Sequence, residues 1–158
     1  MANSFAVQRS ALLAALLAAL AIAGPAGAVA GGCHPVSGSF VAASPPACAG
    51  IFCTVGQLSG DLDGSYSFVG YTFAPDGGLL GHSTITLSNG AVITSNDESV
   101  LDGPPLPGTR FVTTIDFSGG TREFDHVTGG LVAPGAISDG GTVGSYAGEY
   151  CLANNDDD

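Results

Sequence analysis

The sequence contains no lysine, and its three basic residues are Arg9, Arg110 and Arg122. Fourteen aspartates and glutamates give the chain a formal net charge of −11. Proteins that bind nucleic acids displace counterions with clustered positive charge, so this composition excludes that class of partner. It also disfavours adsorption to an anionic membrane. High negative charge is instead typical of an exported protein that stays in solution.

Several chemical motifs are also missing. The sequence has no G-x-S-x-G motif, no phosphate-binding loop and no dinucleotide-binding fingerprint. Its cysteines and histidines show neither C-x2-C nor C-x2-H spacing, which argues against a zinc site. Between residues 54 and 152 no window has the 3.6-residue periodicity of an amphipathic helix. The sequence therefore predicts no cofactor and no metal, and it leaves the catalytic residues, if there are any, unknown.

The first thirty residues have the organisation of a signal peptide. Arg9 supplies the positive charge, and Ala11–Ala23 is an apolar stretch too short to span a bilayer. Pro25 and the small residues after it suit signal peptidase, and cleavage after Ala30 is predicted. The protein is then secreted or periplasmic, with no membrane insertion after cleavage. The alternative is a lipoprotein signal in which Cys33 carries the lipid.

The remaining chain divides into three parts. Residues 31–52 are rich in Pro, Ala, Ser and Gly and are predicted to form an extended arm. Residues 53–152 are predicted to form one domain, because about 100 residues can build a single small core but not two. Residues 153–158 contain the sequence NNDDD and are predicted to be a disordered acidic tail.

The domain reads as a series of short strands. Runs of β-branched and aromatic residues recur about every 10–14 positions between turn residues, which is typical of an antiparallel sandwich or barrel. Asn89-Gly90 is the strongest hairpin signal. Strands are predicted near residues 54–62, 65–73, 79–88, 91–95, 99–101, 110–117, 131–137 and 142–152.

A motif between the last strands resembles a known family. The pattern Gly119-Gly120-Thr121-x-x-Phe124-x-x-x-x-Gly129 precedes a short apolar strand and a Gly/Tyr strand that ends at Cys151. It resembles the C-terminal half of the allene oxide cyclase-like barrels, the group that includes dirigent proteins. That family usually has glycine and alanine where this sequence has Arg122 and Val127. The resemblance implies an all-β fold, a single small antiparallel β-barrel of about eight strands.

Four cysteines follow the predicted cleavage point: Cys33, Cys48, Cys53 and Cys151. An even number in an exported chain suggests two disulfides, and spacing alone leaves three pairings open. In the implied barrel, Cys53 begins the first strand and Cys151 ends the last, and these two strands meet where the barrel closes. We therefore expect a Cys53–Cys151 bridge, with Cys33–Cys48 holding the arm.

Arg110 and Asp116 are the candidate ligand-binding pair. Both occupy one face of the predicted strand 110–117, while Phe111 and Ile115 occupy the other face. If the charged face lines the barrel, the two side chains, with Tyr66, would orient a small ligand. The alternative is that the aromatic face takes the interior and both charges lie outside.

Other polar residues suggest weaker possibilities. His126 with Asp125 or Glu123 could form an acid–base pair at a barrel mouth, but a structural or surface histidine is the simpler interpretation. Asp97-Glu98 is most simply a solvated turn, or alternatively a source of calcium ligands, as Asp61-x-Asp63-Gly64 could also be. The Pro-rich segment 102–109 is predicted to cross one end of the barrel, where a lid would lie.

Two classes of function remain. The favoured one is non-enzymatic: the barrel binds a small apolar or phenolic ligand or serves as a structural module. The family resemblance implies the alternative, an isomerase-, cyclase- or dirigent-like activity in a pocket with apolar walls and a few carboxylates. A homo-oligomer is compatible with the threonine-rich strand faces, which carry little charge.

Overall fold

The computed structural model describes residues 32–153, so the predicted signal peptide and the NNDDD tail lie outside the described range. The fold is all-β and forms a closed barrel of eight antiparallel strands, as predicted. No helix within residues 32–153 is long and apolar enough to cross a membrane. The strands are β1 Cys33–Ala43, β2 Phe52–Gly60, β3 Gly64–Phe73, β4 Leu79–Leu87, β5 Val92–Leu101, β6 Arg110–Gly120, β7 Thr128–Ser138 and β8 Gly141–Cys151.

The barrel is a simple meander. Each strand pairs with the next one along the chain, and β8 returns to pair with β1 from Cys33↔Cys151 to Ala43↔Gly141. Every strand therefore has a neighbour on both sides, which leaves no open sheet edge for another chain to extend.

The predicted arm is wrong from Cys33 to Ala43, because this segment is strand β1 of the barrel. Its small residues hide an alternation in which Val36 and Ala42 face inward and are buried. Pro35 is tolerated because β1 pairs with β8 along its whole length but with β2 only from Gly38 onward. The structural domain therefore begins about twenty residues earlier than predicted.

The two short strands predicted at 91–95 and 99–101 form one continuous strand, β5. Asn96, Asp97 and Glu98 lie in its middle, and these residue types disfavour strands by propensity. The paired neighbours β4 and β6 hold the segment extended on both sides. The predicted total of eight strands was thus reached with one strand missed and another split in two.

The predicted disulfide pairing is also wrong. Cys33 bonds to Cys151 with a Cα–Cα distance of 3.8 Å, and Cys48 bonds to Cys53 with a Cα–Cα distance of 5.5 Å. The physical reason is that the barrel closes between β1 and β8, so the strand that begins near Cys53 is not at the closure. We call these bridges the terminal disulfide and the loop disulfide.

The two ends of the barrel differ. We define the closed end by the connections 61–63, 88–91 and 121–127, and the open end by the connections 44–51, 74–78, 102–109 and 139–140. At the closed end Leu62 is 1% exposed and packs in the core cluster with Ile93 and Phe124. The Tyr146 hydroxyl accepts a hydrogen bond from the buried backbone N–H of Leu62 at 2.9 Å. This end is therefore plugged by side chains.

Arg122 has an unusual backbone at the closed end. It begins the 3-10 turn Arg122–Phe124, and its φ of +59° lies in the left-handed region that favours glycine. Its guanidinium Nη1 donates a hydrogen bond of 2.6 Å to the carbonyl oxygen of Asn89, which ties two connections of this end together. Arg122 thus occupies a position at which glycine would be less strained.

Candidate functional site

The open half of the barrel encloses a cavity of about 340 Å³. This volume falls within the range of small-ligand sites in proteins. The apolar lining residues are Phe40, Ile51, Phe52, Leu58, Phe68, Phe73, Leu79, Ile85, Leu101, Pro105, Phe111, Ile115, Leu131, Ala133 and Ile137. The polar and tyrosine lining residues are Thr54, Tyr66, Ser83, Asp97, Ser99, Thr113, Thr142 and Tyr146.

Aromatic rings form much of the wall, and glycines make room for them. Phe40 on β1 contacts inward-facing Gly144 on β8, at a place where a Cβ would overlap the ring and the carbonyl oxygen of Pro134. Phe111 covers Gly135 in the same way. The centroids of the Phe40 and Phe111 rings are 6.3 Å apart, so the two rings form one continuous apolar surface. The sequence pattern thus builds a smooth wall from large and small inward residues.

A cluster of polar side chains interrupts this wall on β4, β5 and β6. We call it the polar strip, and it comprises Ser83, Ser95, Asp97, Ser99 and Thr113. Ser95 Oγ donates a hydrogen bond of 2.6 Å to Asp97 Oδ1, and Ser83 Oγ donates a hydrogen bond to Asp97 Oδ2. The hydroxyls of Ser99 and Thr113 are 2.7 Å apart and hydrogen bond to each other. All five residues are buried, so the strip is shielded from bulk water.

Asp97 is the one carboxyl group among the residues that line the cavity. It is 4% exposed, and burial raises the pKa of its side chain, although the hydrogen bonds from Ser83 and Ser95 favour the charged form. Two groups on the outer face of the sheet have smaller and opposing effects on this pKa: His82 on β4 lowers it and Asp116 on β6 raises it. A desolvated carboxyl group therefore faces an apolar cavity.

Tyr66 supplies a second polar feature. It lines the cavity together with Thr54 and Thr142, whose side chains favour the ionised phenol less strongly than burial opposes it. Burial raises the pKa of Tyr66, so this side chain stays neutral over the physiological range. Of the three ligand-binding residues predicted from the sequence, Tyr66 is the one that the structure places in the cavity.

Arg110 and Asp116 lie on the outer face of the barrel, and the structure does not bring them into the cavity. The interior face of β6 is the apolar one, with Phe111, Thr113 and Ile115 among the lining residues. Because neighbouring residues of a strand point to opposite faces, both charged side chains must project into solvent. The interpretation in which the charged face of this strand lines the barrel is therefore wrong, and Arg110 and Asp116 do not line the cavity.

The remaining candidates also lie outside the cavity. His126 and Asp125 approach within 3.5 Å, but both side chains are mostly exposed near the closed end. Asp61 serves the fold by accepting a hydrogen bond of 2.8 Å from the backbone N–H of Ser37. Within residues 32–153 no three His, Cys, Asp or Glu side chains form a group that could hold a metal ion.

Exposed apolar side chains surround the mouth of the cavity. Ile51, Phe73 and Leu106 project from three different connections or strand ends at the open end, and each is more than half exposed. The segment 102–109 connects β5 to β6 at this end, and its Pro105 lines the cavity. The mouth therefore offers an apolar entrance to an apolar interior.

Comparisons with family models, curated proteins and solved structures find no match to this chain. The resemblance to the allene oxide cyclase-like barrels consequently remains a prediction. The function must be argued from the cavity itself.

Proposed function

We propose that this protein binds a small, largely apolar ligand in the cavity at the open end and releases it unchanged. The observation that carries the proposal is the cavity itself: about 340 Å³ enclosed mainly by aromatic and aliphatic side chains. Cores of folded proteins normally fill such space at close packing, because an empty apolar void forfeits dispersion contacts. A ligand that occupies the cavity would restore those contacts.

The architecture supports a container rather than a pore. The closed end is filled by Leu62, Ile93 and Phe124, so a ligand can enter only between the connections of the open end. The entrance is apolar and the walls are rigid strands with neighbours on both sides. These features favour reversible burial of an apolar molecule that is poorly soluble in water.

We also propose that the protein acts outside the cytoplasm. Its two disulfides are compatible with an oxidising compartment, in which such bridges form and persist. The signal-peptide pattern of residues 1–30 supports export.

The test is titration of the purified mature protein with the neutral fluorescent probe N-phenyl-1-naphthylamine. Ala133→Phe should weaken binding by about tenfold or more, because Ala133 lines the cavity and the larger ring would occupy ligand space. Val132→Phe is the matched control, since Val132 is 50% exposed on the outer face of the same strand. Absence of saturable binding, or equal affinity in both variants, would refute the proposal.

An isomerase- or cyclase-like activity is the second candidate. It is favoured by one observation: Asp97 and Tyr66, two ionisable groups whose pKa values are raised by burial, line the same apolar cavity. Perturbed groups in a cleft are typical of proton-transfer sites, although structural networks produce them too. Chiral chromatography of a ligand recovered from the protein distinguishes the two candidates, because binding alone returns one unchanged isomer.

A further inference from the structure

We propose that the cavity selects apolar ligands that carry a protonated amine and rejects those that carry a carboxylate. This inference rests on the proposed function and specifies the chemical class of the ligand. The residue that determines the selection is Asp97, the one charged side chain among the lining residues.

The hydrogen bonds of Asp97 leave room for a ligand. Each carboxylate oxygen can accept about two hydrogen bonds. Ser95 Oγ donates to Oδ1 and Ser83 Oγ donates to Oδ2, so one acceptor position remains on each oxygen. Both serines act as donors, which is the arrangement that suits a negatively charged acceptor. The carboxylate is thus held in place and still able to accept from a ligand.

The carboxylate has no positive partner inside the barrel. None of the lining residues is lysine, arginine or histidine. Within residues 32–153, Arg110 and His82 project from the outer faces of β6 and β4, and Arg122 is engaged with the Asn89 carbonyl at the closed end. A buried, unpaired charge is unfavourable, and a ligand ammonium group would supply the missing counterion.

The same argument excludes anionic ligands. A fatty acid or another apolar carboxylate would bring a second negative charge into a low-dielectric cavity that contains no compensating cation. Two like charges in such a site cannot both ionise without a large penalty. An apolar acid therefore binds weakly even though its hydrocarbon part fits the walls.

Neighbouring hydroxyl groups complete the site. An ammonium group has three N–H donors, and Asp97 meets one or two of them. Ser99 and Thr113, hydrogen bonded to each other at 2.7 Å on adjacent strands, offer the remaining acceptor oxygens. Ser99 follows Asp97 by two residues on the same face of β5, about 6–7 Å along the strand. The polar strip thus matches one amine at one place on an otherwise apolar wall.

The test compares decylamine, decanol and decanoic acid as competitors of the neutral probe at neutral pH. The three molecules share one alkyl chain and differ only in the polar end. In the wild-type protein we expect the amine to bind with an affinity about tenfold or more higher than that of the acid, and the alcohol to have an intermediate affinity. Equal competition, or better competition by the acid, would overturn the inference.

Asp97→Asn tests the assignment to one residue. In this variant the preference for the amine over the acid should fall to roughly threefold or less, while binding of the neutral probe is retained. Retention of the full preference in Asp97→Asn would overturn the inference. If the variant does not fold, as judged by far-UV circular dichroism, the comparison of amine and acid in the wild-type protein still tests the inference.

The overall negative charge of the protein could also attract amines, and Asp116→Asn controls for it. This substitution removes an equal charge from the outer face of β6, one strand away from Asp97. The preference should survive in Asp116→Asn and at high salt, since screening acts mainly on exposed charges. Loss of the preference in both asparagine variants would refute a local site. Failure of the neutral probe to bind at all would instead refute the proposed function.

Discussion

Replacing Asp97 by asparagine should stabilise the ligand-free barrel at neutral pH. The carboxylate is 4% exposed and has no cationic partner among the lining residues. Its two charge-assisted hydrogen bonds each contribute about 1.5–3 kcal/mol, whereas transfer of a carboxylate out of water has an effective penalty of several kcal/mol. Burial raises the pKa, so desolvation is the larger contribution. The expected gain in unfolding free energy is on the order of 1–2 kcal/mol.

The pH dependence of this stabilisation shows whether the charge of Asp97 is its cause. The folded-state pKa of Asp97 is raised above its unfolded value, which is about 3.9. Between those two values the folded protein binds more protons than the unfolded chain, so the contribution of Asp97 to stability falls as pH rises. Asparagine does not titrate. The difference in unfolding free energy between variant and wild type should therefore be smallest below about pH 3.9 and should rise to a plateau.

Urea denaturation followed by far-UV circular dichroism measures this difference, since the chain has no tryptophan for fluorescence. Glu149→Gln is the control, because Glu149 is exposed on the outer face of β8 and, unlike Asp116, is not among the charges that shift the pKa of Asp97. Its difference curve should stay within about 0.5 kcal/mol of zero. A difference for Asp97→Asn that falls with rising pH, or that does not change with pH, would refute the reasoning.

Three other changes examine the packing and the cross-links. Tyr146→Phe removes the acceptor of the buried Leu62 N–H and should lower the unfolding free energy by about 1–3 kcal/mol in urea; an unchanged midpoint would contradict this. Gly144→Ala should lower the unfolding free energy by at least about 1–3 kcal/mol, because the added Cβ would overlap neighbouring atoms. Gly140→Ala is its control: the space around Gly140 is open, so this substitution should have little effect in the same assay. Replacing both cysteines of the terminal disulfide by serine should lower the unfolding free energy by about 5 kcal/mol, and the same change in the loop disulfide should lower it by about 2 kcal/mol. The reason is that the terminal disulfide closes 118 residues of chain and the loop disulfide closes 5. Equal losses in calorimetry would show that loop length does not determine the stabilisation.

The sequence predicted those parts of the barrel in which local pattern and global pairing agree. The run from Arg110 to Phe117 alternates aromatic or aliphatic residues with polar ones, and it forms most of β6 with the aromatic face inward. The Asn89-Gly90 turn lies between β4 and β5 as its composition indicates. At such places the residue types alone predict the strand and its two faces, although for residues 110–117 they left open which face points inward.

The predictions from sequence were wrong where strand pairing in the closed barrel overrides local secondary-structure propensity. β1 contains Pro35 and a series of small residues, and it is a strand because β8 pairs with all of it. Asp97 was interpreted as part of a solvated turn, since a carboxylate between Asn96 and Glu98 disfavours a strand. Had residues 92–101 been read as one strand, alternation from buried Ile93 would have placed Asp97 inside. The alternation of residues 93–99 therefore indicates that Asp97 faces the interior, but the low strand propensity of Asn96, Asp97 and Glu98 led to the opposite prediction.

The closed end of the barrel contributes mainly to stability, whereas the open end contains the proposed binding cavity. The closed end places Leu62 and Ile93 in a filled core and adds the terminal disulfide between β1 and β8, so it supplies much of the stabilising burial and cross-linking. The open end contains the features that lower stability, namely the unfilled cavity and the desolvated Asp97. Unfavourable features concentrated at one place are retained where function requires them. An apolar ligand with a positive end would remove both unfavourable features at once, because it fills the void and pairs the carboxylate.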